Sequence, residues 1–198
     1  MSTLEIIILA LLQGLTEFLP ISSSGHLFLA QKFFNFTPNL SLEIWLHIAS
    51  LLAVIIFYWS EILTIIKKMF TKNDSEKIGW KLMVATIFTL PLALVGKKII
   101  DIDLSLNFVG ITLLCTAGFI VISEKCRPKT EINFTWILTI FTGIIQGISI
   151  LPGISRSGIT IAFLILMGLN RKKAAKISFL LSIPTILGGF IFTLKDAA

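Results

Sequence analysis

Charge is what this chain has least of. Only 14% of its 198 residues are Asp, Glu, Lys or Arg, against roughly 25% in soluble domains. That shortage argues against a freely soluble domain. Cysteine is scarce as well. Cys115 lies in an apolar run and Cys126 in a basic loop, at a spacing that fits neither a disulfide framework nor a metal centre. Histidine is limited to His26 and His47. The N-terminus "MSTLEIIIL" lacks the basic segment and small-residue cleavage site of a secretory leader. Its apolar run is therefore expected to be retained as structure.

What the chain does have is hydrophobic length. Mean hydropathy is +0.93, and long apolar runs recur from end to end, the pattern of an all-α integral membrane protein. Residues 45–66, 78–96, 104–122 and 177–194 each come near the ~20 residues that cross about 30 Å of hydrocarbon. Pro91 and Pro184, the latter followed by Gly188 and Gly189, are expected to kink their helices. The formal net charge of +6 sits in the loops. It reads as a membrane-topology signal with no nucleic-acid partner. Lys67, Lys68, Lys72, Lys77 and Lys81, then Lys125, Arg127 and Lys129, then Arg171, Lys172, Lys173 and Lys176 mark three loops on the cytoplasmic side. The balanced loop of Lys97, Lys98, Asp101 and Asp103 is expected to face outward. The many phenylalanines are lipid-facing or core material. His47, beside Trp45, reads as interfacial.

Two stretches do not read as simple spans. Residues 6–31 carry one formal charge, Glu17, and break at Pro20; residues 134–169 carry only Arg156 and break at "LPGISRSG". Each is expected to form a re-entrant hairpin, two half-length helices around a polar turn at membrane depth, where protein or a water-filled cavity must cover the freed backbone groups. The two turns also echo one another. At a constant offset of 133, residues 13–25 ("QGLTEFLPISSSG") and 146–158 ("QGISILPGISRSG") agree at six of thirteen positions. Three spans separate them, an odd number, so the second copy is expected to be inverted. The chain is then one polytopic domain over 1–198, with repeat one about 1–133 and a partial repeat two about 134–198. On this reading the second unit stops two helices short, or is completed by another subunit, with a homodimer as the candidate arrangement.

The polar groups in the turns suggest a phosphate. Turn one offers Glu17, Ser22, Ser23, Ser24 and His26, with Gln13 on the same helical face as Glu17. Turn two offers Ser155, Arg156 and Ser157, bracketed by Gly153 and Gly158. Glycines let the backbone approach an anion, and helix N-termini favour negative charge. Arginine adds a fork that matches phosphate oxygens. The plainer alternatives are serines that bond backbone carbonyls and a structural Arg156–Glu17 pair. Ionisable groups inside membranes are nevertheless functional-site hypotheses by default.

"QGLTEFLPISSSGH" and "LPGISRSG" together resemble the bacterial undecaprenyl-diphosphate phosphatases of the bacitracin-resistance (BacA/UppP) type. "SLLAVIIFYW" and "FLLSIPTILGG" extend the resemblance over essentially the whole chain. It implies an enzyme of the cytoplasmic membrane, working on the outer face. Such an enzyme removes the terminal phosphate of undecaprenyl diphosphate, regenerates the lipid carrier for peptidoglycan precursors and needs a divalent cation such as Mg²⁺ or Ca²⁺. By position, the family's (E/Q)xxxE motif falls on Gln13 and Glu17, the implied metal-binding residues. Its serine and histidine fall on Ser23 and His26, and its arginine on Arg156. Gln13 is the uncharged option, which weakens a metal role there. Family members also continue beyond this C-terminus with further helices.

The residues leave the first chemical step open. Ser23 attacks phosphorus while His26 or Glu17 takes its proton, or Glu17 or His26 activates water, or His26 attacks directly. The same groups also suit a polyprenyl-phosphate flippase or an anion transporter that binds without cleaving. A third reading is a non-catalytic structural subunit.

Overall fold

A computed structural model describes residues 2–37, 40–71, 74–100, 105–126, 128 and 130–196, and every structural statement below refers to these. They form nine helices and no strand: α1 (Thr3–Thr16), α2 (Ser23–Phe33), α3 (Leu40–Phe57), α4 (Trp59–Met69), α5 (Ile78–Ile100), α6 (Leu106–Lys125), α7 (Trp136–Ile148), α8 (Arg156–Leu166) and α9 (Arg171–Asp196). Three of these are long and apolar enough to cross a membrane: Ile78–Gly96, Leu106–Lys125 and Arg171–Ile191. Leu114, Ile137, Ile56 and Phe57 stand mostly exposed on their helices, as lipid-facing side chains do. α5 and α9 run on through Pro91 and Pro184.

The span expected over 45–66 is not one straight helix. α3 and α4 meet at Tyr58 with a bend of 78°. The reason lies in the second half of the run. Glu61, Thr64, Lys67 and Lys68 recur at helical spacing along α4, while Ile62 and Ile65 turn inward against the core. A helix that is polar on one side and apolar on the other lies along an interface better than it crosses a bilayer. The outermost spans also shift. The third begins at Leu106 and the last begins at Arg171, not Ile177.

Small residues bring α5 and α7 close together. A methyl group added at Gly143 would lie 2.2 Å from the Ala85 carbonyl oxygen, and one at Gly147 would lie 2.6 Å from Leu92 Cβ. Two small residues one turn apart are a usual membrane-helix contact. Thr89 then donates across the seam to the Gly143 carbonyl at 3.1 Å.

The basic loops gather at one end of the molecule. Lys81 donates to the Phe134 carbonyl, Arg171 grips Glu124 through two nitrogens, and Lys176 pairs with Glu61. These contacts tie the start of α9 to α4 and to the end of α6, and the start of α5 to the segment before α7. Lys72, Arg127, Lys129, Asp101 and Asp103 lie outside the described residues, as do the side chains of Lys97 and Lys98. The expected outward-facing loop is among them.

The two broken stretches have matching helix bounds. α1 and α7 begin 133 residues apart, at Thr3 and Trp136; α2 and α8 begin at Ser23 and Arg156 and end at Phe33 and Leu166. Both broken stretches are therefore pairs of short apolar helices joined by a polar turn.

Candidate active site

Each turn is built by the same local device. α1 ends at Thr16, and Glu17 caps it with its N–H still bonded to the Gln13 carbonyl at 2.9 Å. Ser22 then caps α2, its hydroxyl accepting the Gly25 N–H at 3.3 Å. In turn two, Ser155 caps α8 and accepts the Gly158 N–H at 3.0 Å. A serine at this position satisfies one of the amides that a helix start leaves unpaired. Both caps also sit 3.3 Å from the hydroxyl two residues on, Ser24 and Ser157 respectively.

The two turns touch. The Ser157 hydroxyl donates to the Leu19 carbonyl at 3.2 Å. Glycine eases the crossing, because a Cβ on Gly25 would stand 3.0 Å from Gly153 Cα and 3.1 Å from Leu113 Cδ2, closer than ordinary contact. This close approach carries the acid of one turn to the base of the other. Arg156 Nη2 donates to Glu17 Oε1 at 2.6 Å, with both side chains largely buried.

Glu17 is the hub. Its second oxygen, Oε2, accepts the Ser23 hydroxyl at 2.5 Å and the Gln13 amide at 3.0 Å. His47 Nε2 stands 3.7 Å from the same oxygen. The other ring nitrogen, Nδ1, is 2.8 Å from the Glu43 carbonyl. A carbonyl only accepts, so Nδ1 carries a proton and Nε2 is the nitrogen left to face Glu17.

A cavity of about 610 Å³ opens against this cluster. Glu17, Ser23, His47, Ser155 and Arg156 line its polar part, while Leu90, Ala93 and Leu94 of α5 and Ile150 and Ile154 of turn two supply apolar wall. α2 and α8 both start at this cavity, so two helix N-termini favour an anion in it. The lining residues of α5 and α9 lie 5 to 13 positions beyond Lys81 and Lys176. At 1.5 Å per residue that is about 8–20 Å from the basic end, inside a membrane.

The sequence-derived residues divide accordingly. Glu17, Ser22, Ser23, Ser155 and Arg156 meet at the cavity. Ser157 and Gly158 join the two turns, and Gly153 adopts φ +91° to let turn two reverse. Gln13 is buried behind Glu17. His26 lies apart from the cavity, its Nδ1 2.8 Å from the carbonyl of Ser22, its own cap residue. His47, expected to be interfacial, is the histidine that faces Glu17. Its signal was the spacing of Glu43, His47 and Ser50, which share one helical face.

The donors present fit a resident metal poorly. The described residues contain no cluster of three or more His, Cys, Asp or Glu. Both oxygens of Glu17 are already bonded, and Gln13 turns its NH₂ group, not its oxygen, toward the carboxylate.

A carboxylate, a serine and an arginine brought together by two broken helices inside an apolar bundle make a polar site suited to an anionic group. The chain belongs to the bacitracin resistance protein BacA family, whose model matches residues 6–198. It is 43% identical over 188 residues to a protein named undecaprenyl-diphosphatase from Thermosipho africanus, covering 93% of this chain and 76% of that one. A protein of the same name from Carboxydothermus hydrogenoformans is 41% identical over 203 residues, covering 99% and 75%. One from Methanococcus vannielii is 39% identical over 199 residues, covering 97% and 79%.

Proposed function

We propose that this chain is an undecaprenyl-diphosphate phosphatase, which hydrolyses the terminal phosphate of the polyprenyl diphosphate, recycles the lipid carrier for peptidoglycan synthesis and gives resistance to bacitracin. The observation that carries the reading is the 2.5 Å hydrogen bond from Ser23 to a carboxylate that also holds Arg156. It unites a nucleophile, a base and a phosphate-binding cation in one buried cluster. Phosphoryl transfer asks mainly for positioning and charge neutralisation.

Arg156 uses one nitrogen on Glu17 and makes no other side-chain bond among the described residues. Its remaining N–H groups, with the amides at the starts of α2 and α8, receive the diphosphate. Ser23 Oγ attacks the terminal phosphorus. Its bond to the bridging oxygen breaks, and the lipid monophosphate leaves with the electron pair. The serine proton passes to Glu17 Oε2. Water then attacks the phosphoserine, the Oγ–P bond breaks, and Oγ regains a proton as inorganic phosphate departs. A divalent cation, Mg²⁺ or Ca²⁺, enters this reading as a companion of the diphosphate, and no step is routed through it. The polyprenyl tail runs along the apolar wall between α5 and α9.

The finer placement follows the basic end. If that end faces the cytoplasm of a bacterial inner membrane, the cavity opens toward the outer leaflet. Pairing of two copies belongs to the same reading. The matching bounds of the two broken-helix pairs favour one alternative, a polyprenyl-phosphate flippase or anion transporter with this fold. Phosphate release from undecaprenyl diphosphate in detergent decides between them. The wild-type chain releases phosphate, and Ser23→Ala binds lipid but releases none. Substantial turnover by Ser23→Ala removes the serine mechanism, and no release by the wild type removes the phosphatase.

A further inference from the structure

The turn that carries Arg156 is held from outside by two hydroxyls. Among the described residues, the backbone hydrogen bonds of 149–155 are local: Ser149 to Gln146 at 3.0 Å, Leu151 to Ile148 at 3.2 Å, Ile154 to Leu151 at 3.0 Å, and the Ser155 carbonyl accepting from Ile159 at 2.9 Å. The longer-range contacts come from α6. Thr112 Oγ1 has three carbonyls in range, Phe108 at 3.2 Å, Val109 at 2.9 Å and Pro152, the nearest, at 2.6 Å. Thr116 Oγ1 donates toward the Gly153 carbonyl at 3.1 Å and accepts the Ser155 N–H at 3.2 Å. Both threonines are buried, one helical turn apart on one face of α6. Thr116 thus grips both sides of residue 154, and Arg156 is the residue that follows Ser155.

Geometry makes this a tight cradle. A Cβ at Gly153 would sit 2.0 Å from Thr112 Oγ1 and 2.8 Å from the Val109 carbonyl. Turn two is therefore pressed against α6 with no room for a side chain between them. Threonines in membrane helices commonly bond their own i−4 carbonyl, and both also lie near one here. What sets this pair apart is that each hydroxyl reaches across to the same foreign loop.

We propose that Thr112 and Thr116 are positioning residues for the reaction, holding turn two through its backbone so that Arg156 meets Glu17 and the substrate phosphates. The inference rests on the phosphatase reading for its kinetic effect. Its structural content stands without that reading. A misplacement of about 1 Å at such a site costs on the order of 10²-fold in rate.

The test combines phosphate release from undecaprenyl diphosphate with binding of a non-cleavable, methylene-bridged polyprenyl diphosphate, both in detergent. Thr116→Val keeps the shape and loses both cross-bonds; its kcat/KM falls by about 10², and analogue affinity falls with it. Thr116→Ser, which restores the hydroxyl, recovers most of both. In an Arg156→Ala background Thr116→Val causes no further loss of analogue affinity, because the group it positions is gone. Thr112→Val, which loses one bond, shows the same pattern more weakly and serves if Thr116→Val does not fold. Wild-type kcat/KM in both valine variants overturns the proposal. So does a Thr116→Ser variant no better than valine, or a loss that multiplies on the Arg156→Ala background. If the wild type releases no phosphate while Thr116→Val still weakens analogue binding, the phosphatase reading fails and the positioning role stands.

Discussion

The two polar turns share an 11-residue helix after the turn, a serine cap and a pair of hydroxyls 3.3 Å apart, yet they are held in different ways. Turn one is fixed mainly by side chains acting on one functional group, with one outside tie to its backbone, from Ser157 to the Leu19 carbonyl. Gln13, Ser23 and Arg156 all bond the Glu17 carboxylate, and the backbone meanwhile tolerates φ +67° at Ser22. Turn two is fixed through its backbone, by Thr112 and Thr116, and puts its positive φ on a glycine. The difference follows from what each turn carries. A short acid must be clamped where it stands. A long arginine reaches its target from a distance, so only the base of its side chain has to be immobilised.

Removing the link between the turns should have the largest effect. In Arg156→Ala the Glu17 carboxylate stays buried without its cation, which costs about 3–5 kcal/mol of stability. Loss of an arginine that neutralises phosphoryl charge costs about 10³–10⁵ in rate. Phosphate release and thermal unfolding in detergent both report it. Arg156→Lys supplies a point charge in place of a planar fork. It is expected to recover much of the stability and little of the rate.

The backbone contrast predicts opposite outcomes for two small substitutions. Gly153→Ala forces a Cβ into a positive-φ residue and against Thr112. Strain of about 1–3 kcal/mol adds to the steric clash, so melting temperature and activity both fall. Ser22→Gly relieves a strained φ of similar size, while exchanging a serine cap for glycine costs only a few tenths of a kcal/mol. Its melting temperature should be unchanged or higher. If Gly153→Ala is as well tolerated as Ser22→Gly, the two turns are not held differently.

Much of this site was legible because charge in an apolar run is conspicuous. Glu17 and Arg156 are the lone formal charges of their stretches, and Ser23 stands in the polar turn beside one of them. The break between α3 and α4 was not legible, since an average over 45–66 hides the one-sided arrangement of Glu61, Thr64, Lys67 and Lys68. His47 was missed because Trp45 and a helix end offered an ordinary explanation for it. The spacing Glu43, His47, Ser50 carried the signal, but only packing against α1 gives that face a meaning. Thr112 and Thr116 were invisible for a similar reason. Two threonines a turn apart in a membrane helix usually serve their own carbonyls, and only the folded chain brings Pro152 and Gly153 within their reach.

The smallest expected effect comes from the glutamines at matching positions of the repeat. Gln13 and Gln146 are each 1% exposed, and each has an amide oxygen without a hydrogen-bond partner. Their orientation is set by their neighbours. The Ser50 hydroxyl near Gln13 donates to the Leu46 carbonyl. Beside Gln146, the Thr89 hydroxyl shares its proton between the Ala85 and Gly143 carbonyls, and the Thr185 hydroxyl donates to the Leu181 carbonyl. These oxygens can only accept, so both glutamines must turn NH₂ toward them. Methionine of similar length removes that donor and also removes the orphaned oxygen, whose burial costs about 1–3 kcal/mol. Unfolding of Gln13→Met and Gln146→Met in detergent should therefore stay near wild type. Activity should separate them. Gln13 bonds a carboxylate, and a hydrogen bond to a charged group is worth about 1.5–3 kcal/mol, so kcat/KM should fall by roughly 10- to 100-fold. Gln146 bonds two neutral hydroxyls on α5 and α9, and its replacement should leave kcat/KM close to unchanged. Equal losses in the two variants would mean that the second glutamine also serves the chemistry.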